Sequence, residues 1–261
     1  MTTTQVPDSR QPEVRRLALL NLLQQQGQLS VRACSEVLGV SEVTIRNDLA
    51  VLERDGLLQR TWGGAMLRQQ LRPEGAFLAR LQDHRAAKEQ IAVAAAAHIH
   101  DNDTIFLDAS TTAYFIAQQI KDRRNLSVIT NGMYTALELG PVAGITTIVI
   151  GGQVRGDTGS LAGTLSEELL AKLHVRKGFF SARGLTLAKG LMESTITEGQ
   201  LKELVTNHVD QVFAVLDASK LGATSLTAFC PPAAIDYLIT AGEDAARAAE
   251  PFRQIMNVVV K

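Results

Sequence analysis

The sequence predicts a chain of α/β class in two parts, a winged helix-turn-helix over residues 12–67 and a mostly parallel α/β domain over residues 76–261. Three observations predict it. Residues 14–54 hold apolar positions at helical spacing that stop at glycines and restart at serines. Arg60 and the pair Gly63-Gly64 then mark a short basic hairpin. From residue 104 onward, short β-branched runs alternate with helical stretches, the pattern of βα units that build a parallel sheet covered by helices.

The elements follow in order. The first dozen residues are polar, carry two prolines and read as a flexible tail. A first helix over residues 14–23 stops near Gly27. Ser30 is placed to cap a second helix over residues 31–38, with Ala33, Val37 and Leu38 turned inward and Cys34 a small core residue. Gly39 suits the left-handed residue that ends it. Ser41 caps a third helix over residues 42–54, where Ile45, Leu49 and Leu52 recur at i, i+4 and i+7 as a buried stripe.

That stripe points Thr44, Arg46, Asn47 and Asp48 partly or wholly outward, near the end of the helix that would enter a major groove. Arg46 suits guanine and Asn47 adenine. Ser41 and Thr44 suit phosphates. In the hairpin Arg60 reaches sugar-phosphate, and Gly63-Gly64 supplies the tight turn at the tip. The competing reading is a small structural bundle with solvated Arg and Asn on an outer face. The order and spacing of caps, stripe and hairpin favour DNA.

Composition sets limits on that reading. Formal net charge is −1, so the whole chain is no generic polyanion binder. Between residues 10 and 70 eight arginines oppose six acids, a mild local excess of +2 that implies modest affinity per subunit, raised by multimerisation on repeated sites. Two cysteines far apart, Cys34 and Cys230, have no metal spacing and form no disulfide framework. Cys230 precedes Pro231-Pro232 and reads as a pocket or loop residue. There is no signal-peptide pattern and no apolar run of membrane-spanning length, and the apolar residues 92–97 read as buried helix. The expectation is a cytoplasmic protein with no membrane partner.

After a joint at residues 67–75, residues 76–99 read as one helix ending in a turn at 100–103. Strands are expected at 104–108, 126–130, 146–150, 178–182, 211–216, 237–240 and 257–260, with helices at 112–120, 133–139 and 195–209. Sheets of this kind bind ligands at the carboxyl ends of their strands. The first end gives Asp108, Ser110, Thr111 and Thr112, hydroxyls and backbone N–H groups fit to cradle a phosphate. Asp108 suits either a sugar hydroxyl or a structural Asx turn. Asn131 ends the second strand, Gly151-Gly152 follow the third, and Lys220 is placed to meet a phosphate or carboxylate. Each has a bland counterpart in a helix cap or a surface lysine. For Glu198 and Lys202, at i and i+4, an exposed ion pair leads and a pocket role comes second.

Two sets of motifs resemble the DeoR family of bacterial transcription regulators. The first is Val40-Ser41-x-x-Thr44-Ile45-Arg46-x-Asp48-Leu49-x-x-Leu52-Glu53-x-x-Gly56 with Arg60-x-x-Gly63-Gly64-Ala65. The second is Asp108-Ala109-Ser110-Thr111-Thr112, Thr130-Asn131, Gly151-Gly152, Leu161-Ala162-Gly163 and Asp217-x-Ser219-Lys220, which resembles the family's effector domain. That domain is similar in fold to ribose-5-phosphate isomerases and CoA transferases and typically senses phosphorylated sugars.

The resemblance implies a repressor of a sugar uptake or catabolism operon. It would bind double-stranded operator DNA as a homo-oligomer (dimer or tetramer) and answer to a phosphorylated sugar. No cofactor, metal or catalytic residue is expected. Three departures stand out: Asn47 where the family usually has a second Arg, Ala109-Ser110-Thr111 where it often has Gly-Thr-Thr or Gly-Ser-Thr, and Arg176-Lys177 where it commonly has Asp-Lys. Arg176 would bear either on the ligand or on a subunit contact. The competing class is a sugar-phosphate isomerase with an attached DNA-binding module, using Asp108, Glu198 and Lys220 as acid–base groups, although nothing fixes two carboxylates at a productive separation. A third reading is a constitutive architectural DNA-binder with a vestigial pocket.

Overall fold

The structure is a computed structural model that describes residues 12–26, 28–54, 58–66, 73–156, 158–163 and 165–261. The expected tail up to residue 11, the stop at Gly27 and residues 67–72 of the joint lie outside the described residues. The chain divides into two compact units, the second beginning at Pro73.

The first unit runs α1 (Pro12–Gln26), β1 (Gln28–Ser30), α2 (Val31–Leu38), α3 (Glu42–Arg54), β2 (Gln59–Thr61) and β3 (Gly64–Met66). Its strands form a sheet in the order β1-β3-β2. β1 was not legible in the sequence, and it changes the face that α2 buries. A stripe starting at Val31 continues at i+3 and i+7 through Cys34 and Leu38, so Ala33 and Val37 fall on the exposed side. Ser30 precedes α2 without a side-chain cap; the Val31 N–H meets the Gly63 carbonyl at 2.9 Å instead. Gly39 is left-handed, with φ 65°, as its position demands.

In α3 the stripe includes Asp48, which is buried with Ile45, Leu49 and Leu52. The outward placement expected for Asp48 is therefore corrected. It lies on the apolar face because two cations meet it there, Arg15 Nε at 2.5 Å and Arg16 Nε at 3.1 Å. The hairpin turn is Trp62-Gly63, and Gly64 is already the first residue of β3, opposite Ser30 and Thr61. A Cβ on Gly64 would lie 1.7 Å from the Leu29 carbonyl oxygen, so only glycine lets β1 close on the wing.

The second unit runs α4 (Pro73–Gln82), α5 (Arg85–Ala96), β4 (Thr104–Leu107), α6 (Thr111–Gln119), β5 (Leu126–Thr130), α7 (Met133–Leu139), β6 (Ile145–Val149), β7 (Gln153–Arg155), β8 (Ser160–Ala162), α8 (Glu167–Leu170), β9 (Val175–Phe180), β10 (Gly184–Thr186), β11 (Gly190–Glu193), α9 (Ile196–Thr206), β12 (Val209–Asp217), β13 (Thr227–Cys230), β14 (Tyr237–Ala241), α10 (Ala245–Ala249) and β15 (Asn257–Val260). Seven strands form a parallel sheet in the order β15-β14-β12-β9-β4-β5-β6. The hairpin β7-β8 and the antiparallel sheet β10-β11-β13 are additions that the sequence did not announce.

Both faces of the large sheet are buried, which is why its strands read as nearly continuous apolar runs. Along β12, Phe213 and Val215 face the core under α5 and α6, while Val212, Ala214 and Leu216 face the core under α9. The single helix expected at residues 76–99 is two helices, broken at Asp83-His84 with His84 left-handed at φ 50°. Cys34 and Cys230 are free, buried thiols. Burial, with Asp236 nearby, pushes Cys230 up to about 12, so it is an inert core residue at the end of β13 rather than a pocket residue. Among the described residues no helix is long and apolar enough to cross a membrane.

Candidate functional site

The first unit presents exposed residues of α3 and of the wing that follows it. The Ser41 hydroxyl caps α3, accepting the Thr44 N–H at 3.2 Å, and the two hydroxyls meet at 2.8 Å. Arg46 and Asn47 are exposed. Arg46 pairs with Glu42 at 2.7 Å, one turn back. An exposed i,i+4 pair contributes only about 0.3–0.5 kcal/mol, so Arg46 is readily released to a base or phosphate. Arg60 is exposed on β2, and its backbone N–H donates to Glu53 Oε1 at 2.9 Å. Glu53 thus ties the wing to the end of α3, a role the sequence did not reveal.

In the second unit a cleft opens at the carboxyl ends of β12, β9, β4 and β5. Ser110 caps α6, its hydroxyl accepting the Ala113 N–H at 3.0 Å. Thr111 and Thr112 line the cleft in the first turn, where backbone N–H groups have no carbonyl within the helix to meet. Asn131 also lines it, with its amide donating to the Leu161 carbonyl at 3.0 Å. Lys220 lines it behind Asp217, whose carboxylate accepts the Ser219 N–H at 3.1 Å.

Asp108 lies beneath the cleft floor, fully buried. Its Oδ1 accepts the Ser110 N–H at 3.0 Å and its Oδ2 accepts the Ser181 N–H at 2.9 Å, so it is the Asx-turn option that the structure shows. Gly151 and Gly152 are not among the lining residues. Gly151 has φ 121°, and a Cβ there would stand 2.6 Å from the Leu161 Cβ; one on Gly152 would stand 2.9 Å from a Leu165 methyl. Both allow the close approach of Leu161, Ala162 and Leu165.

The exposed ion pair expected for Glu198 and Lys202 is replaced by two separate networks, that of Lys202 buried and that of Glu198 half-buried. Lys202 Nζ meets Glu193 at 2.6 Å, the Ser181 carbonyl at 2.7 Å and Asp108 at 2.8 Å. Burial alone would lower its pKa, but the two carboxylates hold it above the ordinary lysine value. Glu198 accepts from Ser160 at 3.1 Å and Thr195 at 3.3 Å and pairs with Arg155 at 3.4 Å, which fastens the β7-β8 hairpin to α9. The α4–α5 corner adds Arg80, Asp83, His84 and Lys88 to the lining, none of them foreseen. No local pattern marks them, because Arg80 and Lys88 stand on different helices, α4 and α5. Arg176 stands elsewhere. With Lys177 it pairs with Asp103, just before the amino end of β4, opposite the cleft, so the ligand option for Arg176 does not hold.

A winged helix-turn-helix joined in one chain to a cleft of this kind defines a ligand-responsive DNA-binding regulator. Residues 15–70 match the DeoR-like helix-turn-helix domain and residues 83–242 the DeoR C terminal sensor domain. The chain belongs to the DeoR family. The HTH-type transcriptional regulator GolR of Listeria innocua is 37% identical over 229 residues, 88% of this chain and 90% of that protein. The HTH-type transcriptional repressor GlcR of Bacillus subtilis is 32% identical over 87% of this chain and 88% of its own length. The lactose phosphotransferase system repressor of Lactococcus lactis is 29% identical over 92% and 95%. A ribose 5-phosphate isomerase from Plasmodium falciparum aligns over 51% of each chain at 15% identity and a TM-score of 0.38. The family is one of regulators, not enzymes, which sets the isomerase alternative aside.

Proposed function

We propose that this chain represses a carbohydrate uptake or catabolism operon and is released from its operator when a phosphorylated sugar fills the cleft. The observation that carries the reading is the first turn of α6, with Thr111 and Thr112 opening on a cleft that also holds Lys88 and Lys220. Their N–H groups, hydroxyls and ammonium groups fit a phosphate, and the Asn131 amide fits a sugar hydroxyl. On the DNA side Arg46 and Asn47 read base edges. Ser41, Thr44 and Arg60 hold phosphates or sugar, and Gly63 and Gly64 shape the wing. Assembly into dimers or tetramers on repeated sites raises the modest affinity of each unit. The names of the sugar-operon relatives support the carbohydrate assignment.

A thermal-shift screen of the full chain against phosphorylated sugars and their unphosphorylated parents tests this. One phosphorylated compound at about 100 times its Kd is expected to stabilise the protein by roughly 2.7 kcal/mol. A shift with none of them would remove the sugar-phosphate reading. Thr111→Tyr is expected to abolish that shift while operator affinity stays as in the parent; joint loss of both would mean misfolding. Arg46→Ala is expected to weaken operator binding by about 1–3 kcal/mol at matched salt, read by fluorescence anisotropy. Unchanged affinity would dismiss the docking of α3.

A further inference from the structure

The α4–α5 corner is the part of the cleft nearest in sequence to the DNA-binding unit, since α4 is the first element after Arg72. We propose that this corner is both a wall of the effector site and its reporting element: an anionic group of the effector takes hydrogen bonds from the Lys88 ammonium, which otherwise holds the end of α4. The proposal rests on the reading of the cleft as an effector site.

Three observations carry it. Lys88 is buried and lines the cleft, yet its Nζ donates to the Asp83 carbonyl at 2.6 Å and to the Arg80 carbonyl. The last carbonyls of a helix have no partner within it, and Lys88 supplies one to Arg80 in the last turn of α4 and to Asp83 just beyond it. Its ammonium has three donors, and two are spent there. Asp83, Asp217, Arg80 and Lys220 are the charged groups around it. Next, His84 sits between the helices at φ 50°, a conformation that non-glycine residues rarely adopt and that persists only where its surroundings impose it. Finally, the middle of α4 is fixed independently. Phe77 is buried, stacks on Tyr134 at 4.0 Å and meets Tyr114 edge-on at 5.6 Å.

The corner therefore has an apolar pivot at Phe77 and a charged latch at Lys88, and only the latch lines the cleft. A phosphate or carboxylate beside Lys88 and Lys220 draws the ammonium from the two carbonyls. The last turn of α4 then opens and His84 relaxes. Because the effector binds the opened form more tightly, opening and binding are linked reciprocally.

Hydrogen–deuterium exchange on the full chain tests this with inorganic phosphate, fructose 6-phosphate and galactose 6-phosphate, and with fructose and galactose as controls. A phosphorylated probe that protects residues 108–114 is expected to speed exchange over residues 79–86 by about threefold or more. Protection at 108–114 with unchanged exchange at 79–86 overturns the proposal and leaves the effector reading standing. No response at 108–114 to any probe, saturating inorganic phosphate included, overturns both. Lys88→Met is expected to show fast exchange at 79–86 without any probe; exchange equal to the parent's would also overturn the latch.

Discussion

Lys202→Met is expected to lower the stability of the second unit by about 3–5 kcal/mol in urea unfolding at neutral pH. The substitution keeps an apolar stem but leaves Asp108 and Glu193 buried without their cation. Removing one partner of a buried pair is costly because the charge left behind has neither water nor a counter-ion. The dependence on pH follows from the same contacts. Burial alone would raise the Glu193 carboxyl, but Lys202, helped by the Ser194 N–H, holds it below its ordinary 4.5. Its pairing is therefore fully present above about pH 4.5 and is lost as pH falls through the depressed value. Lys202 is held above its ordinary 10.5, so its share is fully present below that pH and is lost only as pH rises through the raised value. The gap between parent and variant should be widest from about pH 5 to 10 and should narrow in acid. Parallel stability profiles down to pH 3 would show that the triad contributes little to folding.

The same triad marks the limit of what the sequence discloses. Periodicity located α3, α7, β5 and β15 well, because their apolar or β-branched residues recur at the spacing of the element they build. It also brought attention to Ser110, Thr111, Thr112, Asn131 and Lys220, since the carboxyl ends of parallel strands are fixed once the strands are found. It placed Asp48 outward and favoured an exposed ion pair for Glu198 and Lys202. Asp48 shares a face with Ile45 and Leu49, and its partner Arg15 lies 33 residues away, on a helix whose angle to α3 no local pattern encodes. Lys202 has a carboxylate four residues before it that looks like its partner, while the real ones sit on β11 and just after β4. The break at His84 was equally hidden. Nothing between residues 76 and 99 is a helix breaker, and the Lys88 side chain that meets the Arg80 and Asp83 carbonyls at the break comes from the next helix.

Asp48→Asn should abolish operator binding altogether, by unfolding rather than by loss of a contact. Asp48 is buried, and so is Arg15, which would keep its charge with the carboxylate gone. The expected loss is about 3–5 kcal/mol. A unit of about 55 residues has a total stability on the order of 3–8 kcal/mol, at roughly 0.05–0.15 kcal/mol per residue. The penalty therefore takes most of what is there. Far-UV circular dichroism should show the transition of the first unit displaced to low temperature or missing, while the sensor domain melts as before. Arg46→Ala gives the contrast, since its side chain is half-exposed and pairs with Glu42 one turn back on the same helix. It should leave melting unchanged and reduce affinity alone. Salt separates the two further. Lowering ionic strength strengthens phosphate contacts and should recover part of the affinity lost in Arg46→Ala. It should do nothing for Asp48→Asn, because a buried pair is barely screened. Native melting together with parental operator affinity in Asp48→Asn would mean that Arg15 and Arg16 hold α1 against α3 without it.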